Sequence, residues 1–231
     1  MTNQEAIEKY KNENIILSSS YVHDGIILDG VINPLSLDFR QLCSPTDNQL
    51  DDPHCAGYAA AQLVESMYWM ATGKPIQLDA HQIYAKAKEI DGSPNIDGTT
   101  IECTLRAALD LCTFLDGNYF KVKTLFNNKR DDVLEKIKTI IHKHLFVLGG
   151  FSITTNWYDA TAKKSTLRNG GNPAGGHAVL ICGYLKDNII IQNSWGKDWG
   201  SKGFAQIPKN VFLEQFVYGT YLERQKHENL I

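Results

Sequence analysis

The sequence has no long hydrophobic run. Its apolar stretches, such as Ala178 to Cys182, fall far short of the roughly 20 residues a membrane span needs. Neither charge dominates: 23 basic and 26 acidic residues leave a net charge of −3. That balance offers no electrostatic footprint for nucleic acid or an anionic membrane surface. The opening residues, Met1 to Tyr10, lack the basic start and apolar stretch of a secretory signal, so the protein is expected in the cytoplasm or exported by a route this N-terminus does not display. Cysteine is scarce and odd in number, at Cys43, Cys55, Cys103, Cys112 and Cys182, so no disulfide framework is expected and a reducing compartment is the simplest reading. No two histidines and a carboxylate share a ligand-like spacing, so neither a metal site nor a cofactor is expected. Repeats and low-complexity tracts are absent as well.

What remains is an ordinary globular composition, 43% hydrophobic and 21% charged over 231 residues. That is enough for one large domain or two small lobes sharing a cleft. After a polar lead with a possible helix at Glu5–Asn12, the chain is turn-rich from Gln41 to Pro53. Apolar residues Tyr58, Ala61, Val64 and Met67 then recur at helical spacing, predicting a helix from Pro53 or Cys55 to about Ala71, stopped by Gly73. Asp52-Pro53 reads as its capped start. Further amphipathic helices are expected at Asp79–Lys88, Thr100–Phe114 and Asp131–His144. The second half changes character. Leu145–Ile153 reads as a strand, Asn156–Gly176 as a long polar loop, and His177–Tyr184 with Ile189–Gln192 as an antiparallel hairpin. A strand at Gly203–Ile207, a short helix at Asn210–Gln215 and a strand at Tyr218–Leu222 follow. Helices first and strands second imply an α+β protein.

Three places carry chemistry. Cys55 falls in the first turn of the long helix, where unpaired N–H groups and the helix dipole favour a thiolate. Asp51 and Asp52 act against this, and a lone cysteine is also a common buried hydrophobe. His177 stands where a glycine-rich loop meets an apolar strand, facing a cleft or a core edge. Asn193 lies at the same end of the hairpin, and a turn at 186–188 would pair residue 177 with a position near 197. Asn193-Ser194-Trp195-Gly196 and Trp199-Gly200 place two large indoles in a polar turn, where they cover something or form a satellite core. His142 and His144 end a basic helix, and the helix C-terminus suffices to explain them.

Together these pieces resemble the papain-like cysteine proteases. The Asn193 segment, His177-Ala178-Val179, Gln49 six residues before Cys55, and Leu37-Asp38-Phe39-Arg40 each match a family segment, so the likeness spans about residues 36–222. The resemblance implies a papain-like two-lobe α+β fold, with a helical lobe, an antiparallel barrel-like lobe and the active site between them. It assigns Cys55 as nucleophile, His177 as acid and base, Asn193 as orienter of the imidazole, and Gln49 as oxyanion donor with the Cys55 N–H. Trp195 would shield the His–Asn bond, and Gly98 and Gly176 would line the substrate cleft. The expected activity is hydrolysis of polypeptide substrates by a monomer. The same triad serves deamidation, acyl transfer or removal of a ubiquitin-like modifier, and an inactive binding module is a further alternative.

Some positions depart from the family pattern. Asp52 stands where a disulfide cysteine is usual, Ala56 replaces an aromatic, and Asp97-Gly98-Thr99 supplies one glycine where a pair is common. Residues 1–36 are shorter than the family's inhibitory pro-segment. His54 reads as a bystander or a subsite residue, since neighbours on a helix point apart. The expected organisation is a lead over 1–40 packed on the strand-rich lobe, a helical lobe over 41–115 and a strand-rich lobe over 116–231.

Overall fold

The computed structural model of the protein describes residues 27–28, 31–112, 120–127 and 132–224. The helix expected at Glu5–Asn12 lies outside them. Helix α1 spans Cys55–Thr72 and ends where Gly73 adopts the left-handed conformation at φ 69°, its N–H returning to the Trp69 carbonyl at 2.7 Å. Of the two expected starts, Cys55 is the one found; the Asp52-Pro53 cap is corrected, since His54 is the N-cap and Pro53 lies outside the helix, while the Asp52 carboxylate accepts the His54 N–H at 2.9 Å. Small residues Ala56, Ala59, Ala60 and Ala61 let α1 bury nearly its whole circumference. Gly57 permits the closest approach, because a Cβ there would lie 2.4 Å from the Ala80 carbonyl oxygen.

That contact seats α2, Ala80–Asp91, whose N-cap Asp79 accepts from the His81 and Gln82 N–H groups. Helix α3, Ile101–Leu111, is capped by Thr100 accepting from the Cys103 N–H. Helices α1, α2 and α3 pack on one another.

Two short strands, β1 (Ile27–Leu28) and β2 (Val31–Ile32), pair with each other. The main sheet has seven strands, all antiparallel: β3 (Ser36–Asp38), β4 (Phe120–Phe126), β5 (Val147–Thr154), β6 (Pro173–Leu185), β7 (Asn188–Gln192), β8 (Phe204–Ile207) and β9 (Phe216–Arg224). Its order is β4-β9-β5-β6-β7-β8, with β3 on β6. The pairing runs from β4 to β8 as an open path, so the sheet is not a closed barrel. Helix α4, Val133–His144, packs on β5, β6 and β9, and the short α5, Lys209–Gln215, lies beside it.

Three expectations are adjusted by the structure. Strand β4 was not legible in the sequence. The loop expected over 156–176 is shorter, because a 3₁₀ turn at Thr155–Trp157 buries Trp157 and β6 already begins at Pro173. The hairpin pairs Ile181 with Ile191 and Leu180 with Gln192, and an irregularity between Ile181 and Gly183 shifts the register. Extrapolated, position 177 lies opposite 195 rather than 197. Among the described residues, no helix is long and apolar enough to cross a membrane.

Candidate active site

Strand β6 carries His177 opposite Phe151 of β5, and the end of β7 delivers Asn193. The chain bends after Gln192, with the Asn193 N–H bonded to the Gly203 carbonyl at 2.9 Å. This bend brings the two side chains together: His177 Nε2 lies 2.7 Å from Asn193 Oδ1, and both residues are buried. An amide oxygen can only accept, so His177 carries its hydrogen on Nε2 and donates it. Nδ1 is thereby left as the nitrogen with the lone pair.

Trp195 stacks on the His177 ring with centroids 4.6 Å apart, and Tyr158 stacks on the outer face of Trp195 at 5.1 Å. Trp157 meets the same imidazole edge-on. The indole of Trp157 donates to Gln215 Oε1 and that of Trp199 to the Trp157 carbonyl, each at 2.7 Å. The two Trp-Gly steps thus build an aromatic wall that keeps water from the His–Asn contact and strengthens it.

Gln49 stands beside this wall. Its backbone N–H donates to the Ser194 carbonyl at 2.8 Å. Its side chain is held at both ends, Oε1 accepting from Ser194 Oγ at 2.5 Å and Nε2 donating to the Asp52 carbonyl at 2.6 Å. A primary amide has two N–H bonds, so one remains for the cleft. Ser194 was not singled out in the sequence, although its position beside Asn193 was the available signal.

Cys55 opens α1 and is partly buried. Burial pushes its thiol up; backbone N–H groups of Ala178, Ala56 and Cys55 act the other way, and the charge of Asp52 adds to the rise. The Ala178 amide belongs to the residue after His177, which places the sulfur at the strand bearing the imidazole. Burial lowers His177 to about 4, the Asn193 bond opposing it only in part. A lone charge on either group is therefore unfavourable here.

Cys55, His177 and Gly176 line both of two adjoining hollows between the helices and the sheet. One, of about 440 Å³, is lined by Ala56, Ile101, Phe151, Ala178, Val217 and Tyr218 together with Gly98 and Pro53. The other, of about 550 Å³, adds Gln49 and Trp195. Gly98 lines the first hollow, but its N–H donates to Tyr84 Oη at 2.9 Å and its carbonyl accepts from Lys88 Nζ at 2.8 Å. Its backbone is already paired. His54 lines neither hollow; its ring packs on Tyr84 at a 33° tilt, with centroids 3.9 Å apart.

A groove between helices and an antiparallel sheet, holding a cysteine and a histidine, defines a class: the thiol-dependent hydrolases. Residues 33–218 match the family described as papain family cysteine protease. The chain belongs to that family and is a papain-like cysteine peptidase. The viral cathepsin of Epiphyas postvittana nucleopolyhedrovirus is 24% identical, over 91% of this chain and 71% of that protein. Papain of Carica papaya is 36% identical over a shorter stretch, 27% of this chain and 20% of that protein. In fold, the chain is similar to xylellain, a cysteine protease from Xylella fastidiosa, at a TM-score of 0.62 and 17% identity, covering 90% of this chain and 97% of that one.

Proposed function

We propose that the protein cleaves peptide bonds through a covalent acyl-enzyme, with Cys55, His177 and Asn193 as the working triad and Gln49 completing the oxyanion site. The observation that carries this reading is the 2.7 Å contact between His177 Nε2 and Asn193 Oδ1 beneath Trp195, which leaves Nδ1 for the thiol. The proton of Cys55 passes to Nδ1, and the thiolate attacks the substrate carbonyl carbon. The developing oxyanion accepts from the free Gln49 N–H and the Cys55 backbone N–H. His177 then protonates the departing amine, and the C–N bond breaks to leave a thioester. A water gives its proton to His177 as its oxygen attacks the thioester, and collapse of the second intermediate returns the thiol.

The 440 Å³ hollow supports an apolar side chain of a polypeptide as its occupant, since its walls are aliphatic and aromatic with Gly176 leaving one side open. Cleft recognition through Gly98 is limited to van der Waals contact, its peptide groups being engaged. The test compares wild type with Cys55→Ala on unfolded casein, with product masses recorded and a thiol-directed epoxide as probe. New peptide termini and a single adduct at Cys55, both lost in the variant, are expected. Equal turnover by the variant overturns the reading, and a one-dalton gain without cleavage redirects it to deamidation.

A further inference from the structure

The turn into α1 meets the first turn of α2 through three side chains, Asp52 and His54 two positions apart and His81 27 positions beyond His54. Asp52 Oδ1 lies 2.7 Å from His54 Nδ1, Asp52 Oδ2 lies 3.2 Å from His81 Nε2, and His54 Nδ1 lies 3.2 Å from His81 Nδ1. One donor atom from each of the three falls within 4.8 Å of the others. The spacing of 27 residues between His54 and His81 hid this group from sequence reading.

Proton bookkeeping leaves the group incompletely satisfied. A ring nitrogen offers one N–H or one lone pair. His54 Nδ1 has two partners in reach, the Asp52 carboxylate and the His81 ring, and can bond only one of them. Asp52 Oδ2 is buried and accepts no hydrogen bond, despite His81 Nε2 at 3.2 Å. A single cation would take one lone pair from each of the three side chains in place of this contested proton. The rings are already oriented: Tyr84 stacks on His54, and Tyr58 Oη lies 3.5 Å from His81 Nε2.

We infer that Asp52, His54 and His81 form a binding site for one divalent transition ion of the zinc type. Two imidazoles and a carboxylate suit zinc or cobalt rather than calcium or magnesium, which prefer all-oxygen shells. Tetrahedral bonds of roughly 2.0–2.1 Å set ligand atoms about 3.4 Å apart. The 3.2 Å contact between His54 Nδ1 and His81 Nδ1 already approaches that spacing; the Asp52–His54 pair must open, and Asp52 now meets His81 through its other ring nitrogen, so the carboxylate must turn to share the ion. His81 is mostly exposed, so the ion has an entry path and water completes the shell. The bound ion would tie the segment from Gln49 to His54 to helix α2. It thus pins the Asp52 carbonyl that holds the Gln49 amide. The site is independent of the peptidase reading, because it uses neither Cys55 nor His177.

The test uses the full chain carrying Cys55→Ala, which removes the competing active-site thiol. Cobalt(II) chloride titrated into this protein is expected to give the visible band of a tetrahedral site at one equivalent, displaced by zinc. Zinc should also raise its melting temperature, reversibly by chelator. Adding His81→Ala or, separately, Asp52→Asn should weaken binding by more than about tenfold and abolish the thermal shift. Circular dichroism checks that each variant is folded, and the two variants fail independently. Absence of a saturable one-equivalent band, or cobalt binding unchanged in both variants, overturns the site. Loss of casein cleavage by Cys55→Ala is read separately, so the two proposals stand or fall apart.

Discussion

Ser194 Oγ donates to Gln49 Oε1 at 2.5 Å, joining the residue after Asn193 to the Gln49 amide across 145 positions of sequence. The same two residues are tied again by the Gln49 N–H to Ser194 carbonyl bond at 2.8 Å. The amide that would stabilise the oxyanion is therefore positioned by the sheet side of the cleft as well as by its own loop. Ser194→Ala leaves a buried acceptor unpaired, a loss of about 1–3 kcal/mol. It is expected to lower kcat by about tenfold with KM little changed, since the amide matters most to the developing charge. Steady-state kinetics on a peptide amide substrate checks this.

Gln49→Ala removes the donor itself and is expected to lower kcat by about 10²–10³. Reaction of Cys55 with a small alkylating agent, which forms no oxyanion, should be affected far less. Parallel measurement of turnover and alkylation separates a lost oxyanion donor from a disturbed thiol.

Cys55 and His177 should titrate as a pair. Burial holds the lone imidazole neutral until about pH 4, whereas a thiolate across the cleft favours its charged form. In Cys55→Ala the His177 ring should therefore protonate at lower pH than in wild type, as followed by its NMR ring signals. The stability effect in that variant has a definite sign. The folded value lies below the ordinary 6.5, so the unfolded chain binds the proton first and stability falls as pH drops from 6.5 towards 4.

Glu65 gives the opposite dependence. It is buried in α1, accepts the Leu78 N–H at 2.7 Å, and is pushed from 4.5 up to about 7 by desolvation. Between those values the unfolded chain has released a proton that the folded chain retains, so stability falls as pH rises through this window and stays lower above it. The full effect is of order 3 kcal/mol. Glu65→Gln keeps an acceptor for Leu78 and should exceed wild type in stability at about pH 8 while matching it near pH 4. Denaturant titrations at both values check the crossover.

Gly57→Ala tests the helix packing. Its Cβ would fall 2.4 Å from the Ala80 carbonyl oxygen, so α1 and α2 must separate. A destabilisation of about 1–3 kcal/mol is expected in chemical denaturation.

The helices were legible because their periodicity and their stops are local: Gly73 ends α1 by its own φ, and Asp79 and Thr100 cap their helices with neighbouring side chains. The start of α1 at Cys55 is legible but its cap is not, since Asp52-Pro53 has the composition of a cap while the carboxylate turns to His54. Cys55, His177, Asn193 and Gln49 were named from local motifs, and all line or adjoin one groove. What escaped was non-local. Ser194 reaches Gln49, Tyr84 and Lys88 occupy Gly98, and His81 joins Asp52, because the tertiary fold, and not spacing along the chain, sets those distances. Among the described residues strand β4 pairs with β9 at the end of the sheet; Phe120-Lys121-Val122-Lys123 carries the apolar–charged alternation of a strand, but over too few residues to stand out.

The chain has four tryptophans, and three of them cluster around one imidazole: Trp157 and Trp195 touch the His177 ring, and Trp199 meets Trp195 edge-on. A protonated imidazole quenches an indole it touches. The intrinsic ultraviolet emission of this protein is therefore a built-in gauge of the charge on His177, readable without a label or a substrate.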